Sequence, residues 1–334
     1  MRRTPVLVSL VVLGLAYSPP MNAEPLALRV EGPSNLFADK EAVFRVFLSG
    51  PAAAQGSAAW VLQTGGRTLA RGERAFEVGP ARPVTVEIRF QTPAVKEGAV
   101  LDLVLGVAAL EGAGRTASTN IEKRLWVFPE NAFAERTEWL KKLNIVLFDP
   151  VQKTAAVFEK SKLPFKEVRN VDALGALKDA TLVVGEGVSL KDYRGLADSL
   201  VKAAAAGVPV LCLAPAGGDM SVPGLGDTDL PQPSRVSFRR QDIITELDKR
   251  LATEAWPPDG HVVAGGLRLR GERGPVKGEV AAGDDGWPWV EMRFGEADTK
   301  LVMCGFGIVA KWDATPTPRY LLVRLLEYMT NRYP

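Results

Sequence analysis

The N-terminal third of the chain consists of short segments in which apolar and polar residues alternate. The segment Val84–Phe90 shows this most clearly, with an apolar side chain at every second position. A period of two is typical of a β-strand that buries one face. Two further segments of this kind flank Gly65-Gly66, a dipeptide that favours the tight turn of a β-hairpin. About seven such segments lie between Glu24 and Pro129, so the pattern predicts a β-sandwich.

The pattern changes after Pro129. The segment Phe133–Leu143 predicts a short amphipathic helix or turn, and residues 130–143 are taken as a linker. Beyond the linker, almost entirely apolar runs alternate with helical segments, one of which stops at Gly207, a residue that often ends a helix. Apolar strands between helices are typical of a parallel sheet with helices on both faces. The apolar runs are Asn144–Phe148, Phe165–Arg169, Thr181–Val184 and Val208–Ala214.

The two patterns predict two domains, which agrees with a length of 334 residues. We predict an immunoglobulin-like β-sandwich over residues 24–129 and a flavodoxin-like α/β domain over residues 144–334. The cysteine pair that links the two sheets of antibody domains is absent from residues 24–129. The first prediction therefore concerns the sandwich architecture alone.

Residues 1–23 have the pattern of an export signal. Arg2 and Arg3 precede the apolar run Val6–Ala16, and a small residue, Ala23, stands at the expected cleavage site. The run spans 11 residues, whereas a membrane-spanning helix needs about 20. We therefore predict that the signal is removed, that no membrane span remains, and that the mature protein is periplasmic or extracellular. An uncleaved membrane anchor is the alternative.

Charge and composition exclude several classes of function. Lys and Arg number 41 against 39 Asp and Glu, and two of the basic residues lie in the predicted signal. Such a balanced chain has no electrostatic basis for binding nucleic acid. One histidine, His261, and two cysteines cannot build a Cys/His zinc cluster. Cys212 and Cys304 lie within predicted buried strands, which favours free thiols packed as small apolar side chains over a disulfide.

Three segments of the α/β region carry a family resemblance. Pro209–Gly217 follows a glycine-capped helix and resembles the strand and elbow of class I glutamine amidotransferase-like domains. Val183–Gly187 falls where that family has its glycine-rich oxyanion loop, and Asn144–Pro150 resembles its first strand. The resemblance covers residues 144–330 and implies the α/β fold of that family.

The catalytic residues of the resembled family are missing. The resemblance places the nucleophilic cysteine at Ala214, whose methyl group cannot attack an amide. Cys212 lies two residues earlier, inside the strand. The His-x-Glu pair of the family would fall on Ile308–Asp313, which contains no histidine, and His261 lies elsewhere in the chain. We therefore treat Ala214 as a degenerate nucleophile position and expect no amidotransferase chemistry.

Polar residues that follow the predicted strands are candidates for ligand binding, because ligands of open α/β sheets bind beyond the carboxyl ends of the strands. Grouped carboxylates could bind a hard cation or act as an acid and base pair, and a tryptophan could stack on a sugar ring beside an arginine counter-charge. Each residue also has a simpler explanation as a helix cap, a turn residue or a solvated side chain. The candidates are Asp149, Glu186, Asp219, Trp312, Asp313 and Arg319.

The sequence thus favours an exported, non-catalytic binding or assembly protein of the cell envelope. The resemblance adds a carbohydrate-related context, since degenerate domains of this kind often accompany β-sandwich modules there. The alternative is a carboxylate-dependent hydrolase that acts on a glycan, with or without a divalent metal. A third hypothesis gives the sandwich an edge strand, and the α/β domain a helix face, for docking to a larger complex. No cofactor is expected, and the metal, the protein or glycan partner and the oligomeric state stay open.

Overall fold

A computed structural model describes residues 26–80, 82–111, 116–221, 230–256, 267–270, 278–280 and 287–330. The predicted export signal and His261 lie outside the described residues. Eighteen strands and five α-helices occur within these ranges.

The first eight strands form a β-sandwich, as the alternating pattern predicts. Strands β1, β3 and β6 make one sheet, and β2, β8, β7, β4 and β5 make the other in that order. All neighbours are antiparallel except β2 and β8. The strands are β1 (Ala27–Glu31), β2 (Asn35–Phe37), β3 (Glu41–Ser49), β4 (Ala54–Thr64), β5 (Arg67–Val78), β6 (Val84–Gln91), β7 (Leu101–Glu111) and β8 (Thr116–Phe128).

The side chains that alternate along these strands fill one common core. On β3 the residues Phe44, Val46 and Leu48 are fully buried, while their neighbours on the other face of the strand are not. Strands β4 and β7 contribute every second residue to the same core from the opposite sheet. The period of two in the sequence therefore corresponds to one buried face on each strand.

The elements after residue 129 begin with a turn at residues 132–135 and a short helix, α1, so the linker contains both of the predicted structures. No helix in the described ranges is long and apolar enough to cross a membrane. The helices are α1 (Thr137–Leu143), α2 (Lys153–Lys160), α3 (Leu196–Ala205), α4 (Asp242–Leu247) and α5 (Pro316–Met329). The strands are β9 (Ile145–Phe148), β10 (Lys166–Glu167), β11 (Thr181–Val184), β12 (Val210–Leu213), β13 (Gly218–Ser221), β14 (Arg235–Arg239), β15 (Leu267–Arg270), β16 (Gly278–Val280), β17 (Trp289–Phe294) and β18 (Thr299–Cys304).

A seven-stranded sheet organises this second region, in the order β10-β9-β11-β12-β18-β17-β14. The first five strands are parallel, but β17 and β14 run antiparallel to their neighbours. The prediction of a purely parallel sheet is corrected here. Only a short turn, residues 295–298, joins β17 to β18, and a short connection can link only antiparallel neighbours. Strands β13, β15 and β16 form a separate small sheet.

Helices cover both faces of the seven-stranded sheet. On β9, Ile145 and Leu147 pack in a cluster with residues of α1, α2, α4 and α5, whereas Val146 and Phe148 pack in a second cluster with α3. All residues of β9, β11 and β12 are buried. Burial on both faces explains why these strands are continuous apolar runs in the sequence.

The two cysteines are free and fully buried, which confirms the prediction of two packed thiols. Cys212 lies in the cluster that contains α3, and Cys304 lies in the cluster on the opposite face of the sheet. A disulfide between them would have to pass through the sheet. Burial raises the pKa of each thiol to about 12, so neither is a reactive thiolate near neutral pH.

The sandwich and the α/β region are joined through Asn35, a polar residue that is 2% exposed. Its Nδ2 donates to the carbonyl of Arg250 at 2.8 Å. Its Oδ1 accepts from the Ala252 N–H and from the Thr317 hydroxyl, both at 2.6 Å. Because all three partners belong to the second region, one side chain of β2 fixes how the two regions meet.

Candidate functional site

Strand β12 ends in an elbow at Ala214. Its φ of 34° lies in the left-handed region, which residues with a side chain rarely adopt. The Ala214 N–H donates to the Cys304 carbonyl at 2.7 Å, and the Ala214 carbonyl accepts from the Gly187 N–H at 3.1 Å. The residue is fully buried. The position of the resembled family's nucleophile therefore carries neither a reactive atom nor access for a substrate.

Glu186 follows β11 at the same edge of the sheet and is 4% exposed. Its carboxylate accepts the N–H groups of Val309 at 2.6 Å and Ala310 at 2.8 Å, while its own N–H donates to Thr154 Oγ1 at 2.8 Å. Burial raises the pKa of this carboxyl above its ordinary 4.5, and the two N–H donors and Lys153 act in the opposite direction. Glu186 therefore connects the end of β11 to the segment after β18 that contains Val309 and Ala310.

Replacing Glu186 by glutamine is expected to remove part of the pH dependence of stability. Because burial raises the pKa of Glu186, the folded protein binds this proton more tightly than the unfolded chain does. The wild-type free energy of unfolding therefore falls as pH rises from about 4.5 through the folded pKa, and Glu186→Gln lacks this part of the fall. Urea unfolding of both proteins at several pH values measures the difference.

The exposed residue Glu296 offers a matched control for this experiment, since Glu296→Gln removes the same charge from the surface. Its free energy of unfolding should follow that of the wild type across the whole pH range. If the difference in free energy of unfolding between the wild type and Glu186→Gln is the same at every pH, the expectation is wrong.

Asp149 follows β9 and is also 4% exposed. Its Oδ2 accepts the Ala155 N–H at 2.9 Å, in the first turn of α2, where a carboxylate stabilises the start of a helix. Its Oδ1 lies against Gly185 and has no hydrogen-bond partner among the described residues. Asp149 and Glu186 thus follow neighbouring strands, but Asp149 accepts a backbone N–H at the start of α2 and Glu186 accepts two from the turn after β18.

The other two candidate carboxylates are exposed. Asp219 lies in β13 of the small sheet, opposite Arg268. Asp313 forms surface ion pairs with Lys160 at 3.0 Å and Arg319 at 2.6 Å, and the hydrogen bond from Lys160 and then the charges of both partners lower its pKa. Across the described ranges, no group of three or more His, Cys, Asp or Glu side chains is arranged to hold a metal ion.

The structure brings Trp312, Asp313 and Arg319 together, but it corrects the expectation that Trp312 offers a stacking surface to a sugar. Trp312 is 4% exposed, its ring stacks on Phe133 with the centroids 6.3 Å apart, and the Arg319 guanidinium lies 5.7 Å from its centroid. A ring covered in this way has no face left for a ligand.

Arg319 connects the two regions rather than serving as a free counter-charge. Its guanidinium donates to the carbonyls of Trp312 and Glu130, each at 2.9 Å, and to Asp313. It also lies over the ring of Phe37 in the sandwich, 4.6 Å from the centroid. These contacts make Arg319 a structural residue of the junction.

An open cleft of about 560 Å³ lies beside Arg319, between the two regions. Its walls come from the sandwich turn Asp39-Lys40, the segment Pro129–Phe133 where the sandwich meets the linker, and Lys160–Lys162 at the end of α2. Its charged side chains have both signs, so it offers hydrogen-bond donors and acceptors together. They are Asp39, Lys40, Glu97, Glu130, Lys160, Lys162 and Arg319. A volume of this size at a domain interface suits a small ligand.

Sequence reasoning missed this cleft because its walls come from segments far apart in the chain. Of the candidate residues, only Trp312 and Arg319 line the cleft. They were selected because they follow a predicted strand, not because they face a cleft. The one usable signal was the change of pattern at Pro129, which marks a junction between domains, a common position for a ligand site.

Comparisons with known proteins give no family. No family model and no curated protein matches the chain. Among solved structures, part of the native alpha-2-macroglobulin of Escherichia coli matches with 14% identity and a TM-score of 0.26, over 32% of this chain and 17% of that one. A CARDB domain from Pyrococcus furiosus matches with 15% identity and a TM-score of 0.23, over 32% of this chain and 90% of that one. Scores this low carry no argument about activity.

Proposed function

We propose that this chain is an exported, non-catalytic binding or assembly protein of the cell envelope. The observation that carries the proposal is the elbow at Ala214, where the nucleophile position of the resembled family is a buried methyl group. Glu186, the nearest strand-end acid, is engaged by backbone N–H groups. An elbow with no nucleophile and no access for a substrate cannot perform acyl transfer.

We further propose that residues 144–330 are a flavodoxin-like scaffold of the amidotransferase-like type. In chain order its parallel strands are β9, β10, β11, β12 and β18, and their spatial order is 2-1-3-4-5, the flavodoxin-like arrangement. The left-handed φ of Ala214 at the end of the fourth strand also supports it, because a strained strand-end residue is typical of a nucleophile elbow.

The ligand that this proposal implies is a polar molecule, for which a glycan is the best candidate, bound in the junction cleft. Sugar hydroxyls both donate and accept hydrogen bonds, and the cleft provides ammonium donors at Lys40 and Lys162 beside carboxylate acceptors at Asp39 and Glu97. The export signal predicted from residues 1–23 supports an envelope location.

The strand-end carboxylates do not support the hydrolase alternative. A glycosidase needs two carboxyl groups about 5–9 Å apart and open to substrate. Asp149 and Glu186 are buried and accept backbone N–H groups, and Asp313 is held in surface ion pairs. Asp219 alone cannot provide both an acid and a base.

A thermal-shift screen against cell-wall glycans tests the proposal, because a ligand that binds the folded state raises the unfolding temperature. We expect a glycan to stabilise the wild type and to have a much weaker effect on Lys162→Asn, which removes a cleft charge. Asparagine tolerates the positive φ of Lys162, so the backbone is preserved. Lys249→Ala, an exposed lysine that does not line the cleft, serves as the matched control.

The same preparations also test the absence of chemistry. Wild type and Ala214→Cys should both fail to hydrolyse amide, ester and glycoside substrates, because a buried thiol without a neighbouring base is not activated. Reproducible turnover by the wild type would overturn the non-catalytic proposal, and a glycan shift unaffected by Lys162→Asn would exclude the cleft.

A further inference from the structure

Strand β5 lies at the end of the strand order in the five-stranded sheet. Within the described ranges it pairs only with β4, although it is 12 residues long. Phe76 and Val78 are its only buried residues, and Leu69 is one of two large apolar side chains that are strongly exposed in the described part of the chain. The unpaired N–H and C=O groups of such an edge are a template for another strand.

Charges alternate along this edge. Arg71 and Glu73 lie opposite Val61 and Ala59 of β4, on the face of the sheet that points away from the sandwich core. Gly72 between them faces inwards, where the indole of Trp60 lies 2.7 Å from the position that a Cβ would take. Arg71 and Glu73 therefore present a positive and a negative charge on the same outward face of the edge strand. Gly72 between them places no side chain on the inward face.

This spacing selects one way for the edge to pair with a second copy. In an antiparallel two-fold pair centred on Gly72, Arg71 of each copy lies opposite Glu73 of the other, which gives two ion pairs. A pair centred on Arg71, Glu73 or Arg74 would set a like charge opposite itself.

Two further registers fail for different reasons. A pair centred on Ala75 would set Glu73 opposite Glu77, which is repulsive. A pair centred on Ala70 would bring Leu69 into the ladder, but the register of β4 with β5 shifts there and leaves Leu69 without a partner on β4. The register centred on Gly72 alone combines regular backbone with complementary charge.

We propose that two copies of this chain associate through β5 about a two-fold axis at Gly72, so that the two five-stranded sheets become one continuous sheet. The occupant of the edge is a second copy because the charge pattern is complementary to itself. The Arg71–Glu73 pairs add to the contacts that Glu73 makes within its own chain. This inference does not rest on the ligand proposed above.

Sedimentation velocity of the purified protein over a range of concentrations tests the proposal. The wild type should dimerise reversibly. Arg71→Glu and Glu73→Arg should each raise the dimer dissociation constant at least about tenfold, because each sets like charges opposite each other twice. The double variant Arg71→Glu/Glu73→Arg restores opposite charges across the axis, so its dissociation constant should return to within about threefold of the wild-type value.

Arg74→Glu is the matched control. It makes the same charge change on the same strand, but opposite Ala58 on the other face, and in the proposed register it lies opposite Ala70 of the second copy. It should leave the dissociation constant within about threefold of wild type, and circular dichroism should show all variants folded. A monomer at every concentration, no recovery in the double variant, or an equal effect of Arg74→Glu would overturn the proposal.

Discussion

Replacing Asn35 by alanine is expected to lower the free energy of unfolding by about 3 kcal/mol, since each buried group that loses its hydrogen bond costs about 1–3 kcal/mol. The change leaves the Arg250 carbonyl, the Ala252 N–H and the Thr317 hydroxyl without their partner. Thr317 is 1% exposed, so water does not readily replace the lost bond there.

The loss should also weaken the coupling between the two regions. Wild type is expected to unfold in one urea transition because Asn35 and Arg319 connect the regions, whereas Asn35→Ala should broaden or split that transition. Five of the seven tryptophans lie after residue 129, so fluorescence reports mainly the second region, whereas far-ultraviolet circular dichroism reports both regions. The two signals should therefore separate in the variant.

Ser34→Ala is the matched control for this experiment. Ser34 is the adjacent residue, and its hydroxyl donates to Glu254 at an exposed position across the same junction. An exposed contact of this kind contributes little, so the loss should stay within about 0.5 kcal/mol. Equal losses for Ser34→Ala and Asn35→Ala would show that the buried bonds do not stabilise the junction.

Replacing Gly185 by alanine is expected to cost about 3 kcal/mol. A Cβ at this position would lie 2.6 Å from Asp149 Cγ and still closer to Oδ1, so the carboxylate would have to move. Overpacking of a buried site costs about 1–3 kcal/mol. If the carboxylate moves, Asp149 also loses the hydrogen bond that it accepts from the Ala155 N–H, a helix cap that contributes about 1 kcal/mol.

Gly187→Ala is the control for this steric effect, because it makes the same substitution two residues further along the chain. Gly187 has a φ of 82°, and a Cβ there would meet no atom within 4 Å. Its cost should be only the strain of a left-handed alanine, about 1–2 kcal/mol. Denaturant unfolding of both variants checks the order, and a smaller loss for Gly185→Ala than for Gly187→Ala would contradict it.

Local pattern predicted individual strands and their buried faces, as particular elements show. Strict alternation in Val84–Phe90 predicted a strand with one buried face, and β6 has that face. The apolar run at Thr181–Val184 predicted a strand buried on both sides, and β11 is buried at every position. The antiparallel direction of β17 was not predicted, because apolar content alone does not reveal strand direction.

For the candidate site residues, local pattern predicted the position but not the hydrogen-bond partners. Asp149 and Glu186 were selected because they follow strands, and both do lie at one edge of the sheet. The pattern of residue types could not reveal that backbone N–H groups already occupy both oxygens of Glu186, because Val309 and Ala310 are more than 120 residues from Glu186.

The sequence by itself determined the alternating strands of the sandwich and the buried strands β9, β11 and β12, and it placed a methyl group without a nucleophilic atom at position 214. These properties depend on side-chain type and on spacings of two to four residues, which are local. Only the tertiary structure decided that Trp312 is covered and that Arg319 and Asn35 join the two regions. It also decided that, among the described residues, β5 lies at a sheet edge and a cleft lies at the junction. Burial and hydrogen bonding between distant segments depend on how the chain packs, and packing is a property of the whole fold.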